Sequence, residues 1–270
     1  MSSKVDRFRE LHRSGCFVIP NPWDIGSARI LAALGFQALA TTSSGFAWTL
    51  GRRDNHVTLE EALDHCRAMA SAVDVPLNAD FEGGFAVEPD DVAKNVTAAC
   101  ATGIAGLSIE DSVKNGDRAG GDGLYDFELA VDRVRAARAA IEASSSGVLL
   151  TARSEGFIAG KPDLAETIRR LTAFAAAGAD CLFAPGLKNS SDIKAIVGAV
   201  APKPVNVLVA SDFTTLAELT ALGVRRISVG GALARSGWGA VLSAATEIAQ
   251  KGTFTGLSRA IPGVDLQRYF

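Results

Sequence analysis

The chain has 270 residues, 48% hydrophobic and 21% charged, with a formal net charge of -3, which suits one α/β barrel and is read as a single domain over residues 1–270. Its apolar runs fall short of the ~20 residues of a bilayer span, and basic residues cluster only in pairs such as Arg52-Arg53, Arg169-Arg170 and Arg225-Arg226. Membrane and nucleic-acid partners are therefore excluded. Cys16, Cys66, Cys100 and Cys181 form no Cys-x-x-Cys pair, which argues against zinc or a disulfide framework and makes them buried small hydrophobes. The first ten residues are mixed in charge without a signal-peptide core, so the expected location is cytoplasmic.

In chain order, residues 4–13 are predicted to form an extra helix that closes the floor of the barrel. From residue 16, short apolar runs alternate eight times with longer segments of helical period. The strand-like runs are 17–19, 38–42, 76–79, 106–109, 148–152, 181–184, 205–208 and 226–229. Helices are predicted over 59–73, 89–102, 127–143, 164–177, 191–200 and 238–249. Gly35, Gly103, Gly178 and Gly223 stand where left-handed helix stops are expected. Eight such units with no hairpin signal favour an α/β fold of the closed (β/α)8, TIM-type class over an open sheet.

Active sites of such barrels lie at the carboxyl ends of the strands, where the sequence is unusually polar. Asp80 and Glu82 follow strand three and Glu110 follows strand four. These three carboxylates would converge, and like charges cannot all remain ionised and unpaired. A divalent cation resolves the conflict; hard oxygen donors without His or Cys select Mg²⁺ or Mn²⁺. The alternative is that they cap a helix or pair with Arg52, Arg53 or Arg153.

Arg153, at the end of strand five, is placed to grip a substrate carboxylate, or else to form a buried salt bridge to Glu155 or Glu110. Ser43, Ser44, Gly45 and Phe46 offer hydroxyls and N–H groups to a carboxylate or a developing enolate oxygen, unless they form a plain turn of small residues. His56 is read as surface-facing, because Val57-Thr58 begins the next helix cap. His12 and His65, on helices remote from the strand ends, are assigned no function.

With these residues in place, the sequence resembles the isocitrate lyase and phosphoenolpyruvate mutase superfamily over nearly its whole length. The matching motifs are Ser44-Gly45 with Gly51-Arg52-Arg53-Asp54, Asp80-Phe81-Glu82-Gly83-Gly84-Phe85, Ser108-Ile109-Glu110-Asp111-Ser112, and Ala152-Arg153 through Ala159-Gly160. The resemblance implies a metal held directly or through water by Asp80, Glu82 and Glu110, with Asp54 close to its waters. It implies a carboxylate gripped by Arg153 and the Ser44-Gly45-Phe46 backbone, a pocket completed by Asn206, and chemistry through a metal-stabilised enolate. It also implies a homo-oligomer, a dimer or tetramer, with the helix over 238–249 exchanged between subunits.

The loop after strand four departs from the lyases. Where those enzymes carry Lys-Lys-Cys-Gly-His with a proton-transferring thiol, this chain has 113–121 without Cys or His. Lys114-Asn115 partly echoes the Lys-x-Asn segment of the mutases and phosphonopyruvate hydrolases. With Arg118 and Gly116, Gly120 and Gly121, it reads as a lid. Glu82 stands where many members have Asp.

The first reading is C–C bond cleavage or formation beside a small 2-oxo or 2-hydroxy (di)carboxylate, with an oxaloacetate-like substrate favoured. Others are C–P chemistry on a phosphonopyruvate-type substrate, with Lys114 and Arg118 supplying the charge that binds the phosphoryl group, and a barrel that binds a 2-oxo acid without turning it over. A phosphate grip at Gly230-Gly231 ranks last.

Overall fold

The computed structural model describes residues 2–113 and 123–270. After α1 (Lys4–Leu11), eight strands alternate with helices: β1 (Phe17–Ile19), α2 (Ile25–Ala33), β2 (Leu39–Ala40), α3 (Ser43–Thr49), α4 (Leu59–Ala72), β3 (Leu77–Asp80), α5 (Pro89–Cys100) and β4 (Gly106–Glu110). There follow α6 (Phe127–Ala143), β5 (Leu149–Arg153), α7 (Leu164–Ala176), β6 (Cys181–Phe183), α8 (Ser190–Val200), β7 (Val205–Leu208), α9 (Leu216–Ala221), β8 (Arg226–Ser228), α10 (Ala232–Lys251) and a short α11 (Gly263–Leu266).

The eight strands pair in parallel, in the order β1-β8-β7-β6-β5-β4-β3-β2. The seam between β1 and β2 is drawn together by the Ala40 N–H, which donates to the Pro20 carbonyl at 3.0 Å. Asn21 spans the same seam: its amide donates to the Thr41 carbonyl at 2.9 Å, and its oxygen accepts from Val229 and Gly230 N–H at 2.9 and 2.8 Å. The fold is the (β/α)8 barrel expected from the alternation.

The floor is built as the N-terminal pattern suggests. Ser3 and Asp6 form a capping box that starts α1, and Lys4 Nζ anchors the helix on the Ala70 and Val73 carbonyls, each at 2.7 Å. Phe8, fully buried, then packs with Phe17, Ala38, Ala105 and Leu149, residues at the starts of four strands. Gly35, Gly103, Gly178 and Gly223 all have positive φ, between 86° and 103°, as their stop positions require.

Three expectations are corrected. Residues Ser43–Thr49 are a helix rather than the plain turn of small residues offered as the alternative, because the Thr42 side chain caps the free N–H of Gly45. The last long helix starts at Ala232 rather than Trp238. Only Cys66 and Cys181 are buried; Cys16 and Cys100 are half-buried. Among the described residues no helix is long and apolar enough to cross a membrane.

Candidate active site

The pairing of β4 with β5 sets Glu110 directly beside Arg153. Both are terminal strand residues, and Asp80 ends the neighbouring β3. Arg153 Nη1 stands 3.2 Å from Glu110 Oε2 and 3.5 Å from Asp80 Oδ1, while its Nε donates to Glu155 Oε1. Its Nη2 enters none of these contacts. The guanidinium carbon lies 5.2 Å from the Phe183 ring centroid, within cation–π range.

Burial works to lower the Arg153 pKa, but Glu155, Glu110 and Asp80 outweigh it and raise the value, so the cation is fixed. Burial also pushes the Glu155 carboxyl above its ordinary range, against the pull of Arg153 and with the help of Glu110. The ion-pairing alternative for Arg153 is thus present in full, with three carboxylates about one guanidinium.

A second layer fixes this arrangement. Asp80 Oδ2 accepts the Ser43 N–H at 3.0 Å, and the Asp80 N–H donates to Thr41 Oγ1 at 2.8 Å. Ser112 Oγ donates to Glu110 Oε1 at 2.9 Å. Buried Asp111 Oδ1 accepts the Glu155 N–H at 2.8 Å, and its Oδ2 lies 3.2 Å from Arg170 Nη1.

These groups rim a cavity of ≈ 150 Å³ whose mouth carries Thr42, Ser43, Ser44, Asp54, Asp80 and Arg153. Deeper walls are formed by Asn21, Asn78, Ser108, Asn206, Arg226 and Ser228. The volume suits a small acid, well below the several hundred Å³ typical of drug-sized ligands. An outer cavity of ≈ 400 Å³ shares Ser43, Asp54 and Arg153 and adds Glu110 and Glu155.

Other candidates lie elsewhere. Gly45 is buried behind the wall, where an added Cβ would stand 2.6 Å from Thr42 Cγ2 and 2.9 Å from Trp23 Cβ. The Phe46 N–H donates to the Thr42 carbonyl at 3.0 Å, and the ring stacks on His65 at 3.8 Å. Neither Gly45 nor Phe46 lines the main cavity. Glu82, with a left-handed φ of 48°, lines a smaller neighbouring cavity with Phe46, His65 and Asp80. His65 is therefore adjacent to the site rather than remote from it, and burial lowers its pKa to about 4.

His56 is exposed. Arg52 pairs with Glu61 at 2.7 Å instead of with the site. Asp24 caps α2. Asn206 sits second in β7, deep in the cavity. Lys114, Asn115 and Arg118, with the lid glycines, lie outside the described residues.

Among the described residues no three His, Cys, Asp or Glu side chains are arranged to hold a metal ion. Asp80, Glu82 and Glu110, expected to hold a metal directly or through water, do not form such a group, and of those two arrangements it is contact through water that their placement accommodates. The donors at the mouth are nevertheless all hard oxygens, a set that fits a cation retaining most of its waters, as Mg²⁺ does.

Arg226 was missed by sequence reasoning, which saw only a basic pair with Arg225. Two-residue alternation with Ser228 was the available signal, since it turns both side chains inward.

The family model described as phosphoenolpyruvate phosphomutase matches residues 8–249. A solved structure from Burkholderia cenocepacia J2315, assigned only as a lyase or mutase, superposes with a TM-score of 0.94 at 45% identity, covering 99% of this chain and 96% of that one. Oxaloacetate acetylhydrolase, solved with the product oxalate, superposes at 0.86 with 26% identity, covering 99% and 93%. Oxaloacetate decarboxylase of Paraburkholderia xenovorans (strain LB400) is 31% identical over 222 residues, 80% of this chain and 71% of that protein.

Proposed function

The chain belongs to the phosphoenolpyruvate phosphomutase family, within the isocitrate lyase and phosphoenolpyruvate mutase superfamily, and from that premise we propose a single-domain cytoplasmic enzyme that makes or breaks a C–C bond beside a small 2-oxo or 2-hydroxy (di)carboxylate. An oxaloacetate-like substrate fits best. The observation that carries this reading is the fixed Arg153 cation at the mouth of a cavity sized for a small acid, with hydrogen bonds from Nε and Nη1 but none from Nη2 among the described residues.

In this reading the substrate carboxylate docks on Arg153 Nη2 and on the Ser43 and Ser44 side of the mouth. For an oxaloacetate-like acid the bond from C3 to its carboxylate breaks, the carboxylate leaves as CO2, and the bonding electron pair moves toward the C2 oxygen as an enolate. Asp54, which lines both cavities, handles the proton delivered to C3. The ≈ 150 Å³ of space excludes most competing water. Asp80 and Glu110, with Asp54, would hold Mg²⁺ or Mn²⁺ largely through water, and the bound cation would supply Lewis-acid charge to the reaction.

The test is turnover with Mg²⁺ on oxaloacetate, 2-methylisocitrate, isocitrate and phosphonopyruvate, comparing wild type with Asp80→Ala. Turnover of oxaloacetate that the variant loses supports the reading. Turnover of phosphonopyruvate alone would move the chemistry to a C–P bond, a second reading favoured by the family model's own description. Binding without turnover of any compound would leave a 2-oxo-acid-binding barrel.

The proposal includes a homo-oligomer, dimer or tetramer. Trp238, Val241 and Leu242 of α10 are 46%, 59% and 69% exposed, and α10 with Trp48 walls an apolar recess. So much apolar surface on one helix suits an interface. Sedimentation as a monomer at micromolar concentration would refute it.

A further inference from the structure

Arg226 is 3% exposed at the start of β8, yet its guanidinium is one of the deeper surfaces of the cavity. A guanidinium is charged at any working pH and carries five N–H donors. Its partners are all neutral: Nε donates to Asn206 Oδ1 at 2.9 Å, Nη2 to Thr151 Oγ1 at 3.0 Å, and Nη1 faces His12 Nε2 at 3.4 Å. Three of five donors are thereby used, and no carboxylate reaches Arg226 among the described residues.

Burying a cation without a counter-ion is costly, and the contrast with Arg153 is direct, since that guanidinium has three carboxylates about it. The carboxylates that line this cavity, Asp54 and Asp80, belong to its mouth. Asn206, Ser228 and Ser108 complete the deeper wall with neutral polar groups. Thr151, which Arg226 touches from β8, precedes Arg153 by two residues of β5, so the residue that holds Arg226 and Arg153 itself stand about 7 Å apart along that strand, on the same face.

We infer that Arg226 is the cationic floor of the substrate cavity and selects acids whose second carboxylate points into the barrel. The substrate would enter with its reacting carboxylate at Arg153 and its distal carboxylate toward Arg226, between Asn206 and Ser228. Arg226 would thereby be a specificity residue that favours dicarboxylates over monocarboxylates. This inference rests on the small-acid reading of the cavity.

The test uses binding, so it does not depend on turnover. Calorimetry with malate and with lactate, in the presence of Mg²⁺, compares wild type with Arg226→Lys and with Asn206→Asp. The latter is nearly isosteric and supplies an internal counter-charge to Arg226 without removing it.

A charge-assisted hydrogen bond in this setting corresponds to about tenfold to a hundredfold in affinity. Wild type is expected to bind malate at least that much more tightly than lactate. Asn206→Asp should erase most of the difference by weakening malate alone, and Arg226→Lys should reduce it. Equal affinity for the two acids in wild type, or equal weakening of both by Asn206→Asp, overturns the Arg226 assignment and leaves the small-acid reading standing. If wild type binds neither acid, the small-acid reading fails and the floor fails with it.

Discussion

His12 Nε2 stands 3.4 Å from Arg226 Nη1, at the junction of the N-terminal helix and the barrel interior. Nδ1 of the same ring lies 2.8 Å from the Phe8 carbonyl, which can only accept. A single neutral tautomer satisfies both contacts: Nδ1–H donates to Phe8, and the Nε2 lone pair faces the guanidinium.

Protonating His12 would break that arrangement. Burial first, then the Arg226 charge, lowers its pKa from 6.5 to about 3, against the Phe8 hydrogen bond. Because the folded pKa is depressed, the unfolded chain binds more protons between those two values, and stability rises with pH across the window. The contribution is complete above pH 6.5 and is lost as pH falls toward about 3, with a limiting slope of about 1.4 kcal/mol per pH unit. Urea unfolding from about pH 7 to about pH 5 should show a steeper decline for wild type than for His12→Gln. Parallel curves would mean that His12 does not titrate differently in the two states.

Asp111 holds Glu155 in place through its backbone and pairs with Arg170, a residue 7% exposed. Burial raises the Asp111 pKa, while the Glu155 N–H and Arg170 act to lower it. Asp111→Asn keeps the shape but leaves Arg170, among the described residues, with only the half-buried Glu166 as its counter-charge. The expected loss is about 3 kcal/mol in chemical denaturation, at the scale of breaking a buried pair. A loss below about 1 kcal/mol would show that Glu166 alone suffices.

The strand starts and the alternation were legible because apolar runs of three to five residues recur between helical segments, and seven strands pair along them in simple sequence order. The polar residues after β3, β4 and β5 were legible for the same reason, since topology places strand ends together. Long-range geometry was not. Asp80 and Glu82 look equivalent in sequence, but the chain turns at the left-handed φ of Glu82, and of the two, which share the smaller cavity, Asp80 alone also lines the main one. Nothing in Ser43-Ser44-Gly45-Phe46 tells that Gly45 and Phe46 pack behind the wall, because that depends on Trp23 and His65 from distant segments.

Gly106 is a close-approach position rather than a flexible one. An added Cβ would sit 2.6 Å from Phe8 Cε1 and 2.7 Å from Asn78 Oδ1. Gly106→Ala should therefore push α1 off the floor and cost about 1–3 kcal/mol, the usual range for overpacking. Hydrogen exchange in α1 should accelerate in the variant relative to the other helices. Unchanged exchange there, with unchanged stability, would show that Phe8 can rotate away without loss.

Asn21 is the remaining test of how the barrel is held shut. Its one side chain serves the Thr41 carbonyl on one side of the seam and the Val229 and Gly230 N–H groups on the other, all while 6% exposed. Asn21→Leu retains the approximate volume but removes three hydrogen bonds and strands buried backbone groups, each costing about 1–3 kcal/mol when unsatisfied. Because Asn21 also lines the cavity, lost activity would not separate closure from substrate contact. Denaturation and exchange do: a loss of about 3 kcal/mol with faster exchange in β2 and β8 is expected, whereas lost activity at wild-type stability would assign Asn21 to the substrate instead of the seam.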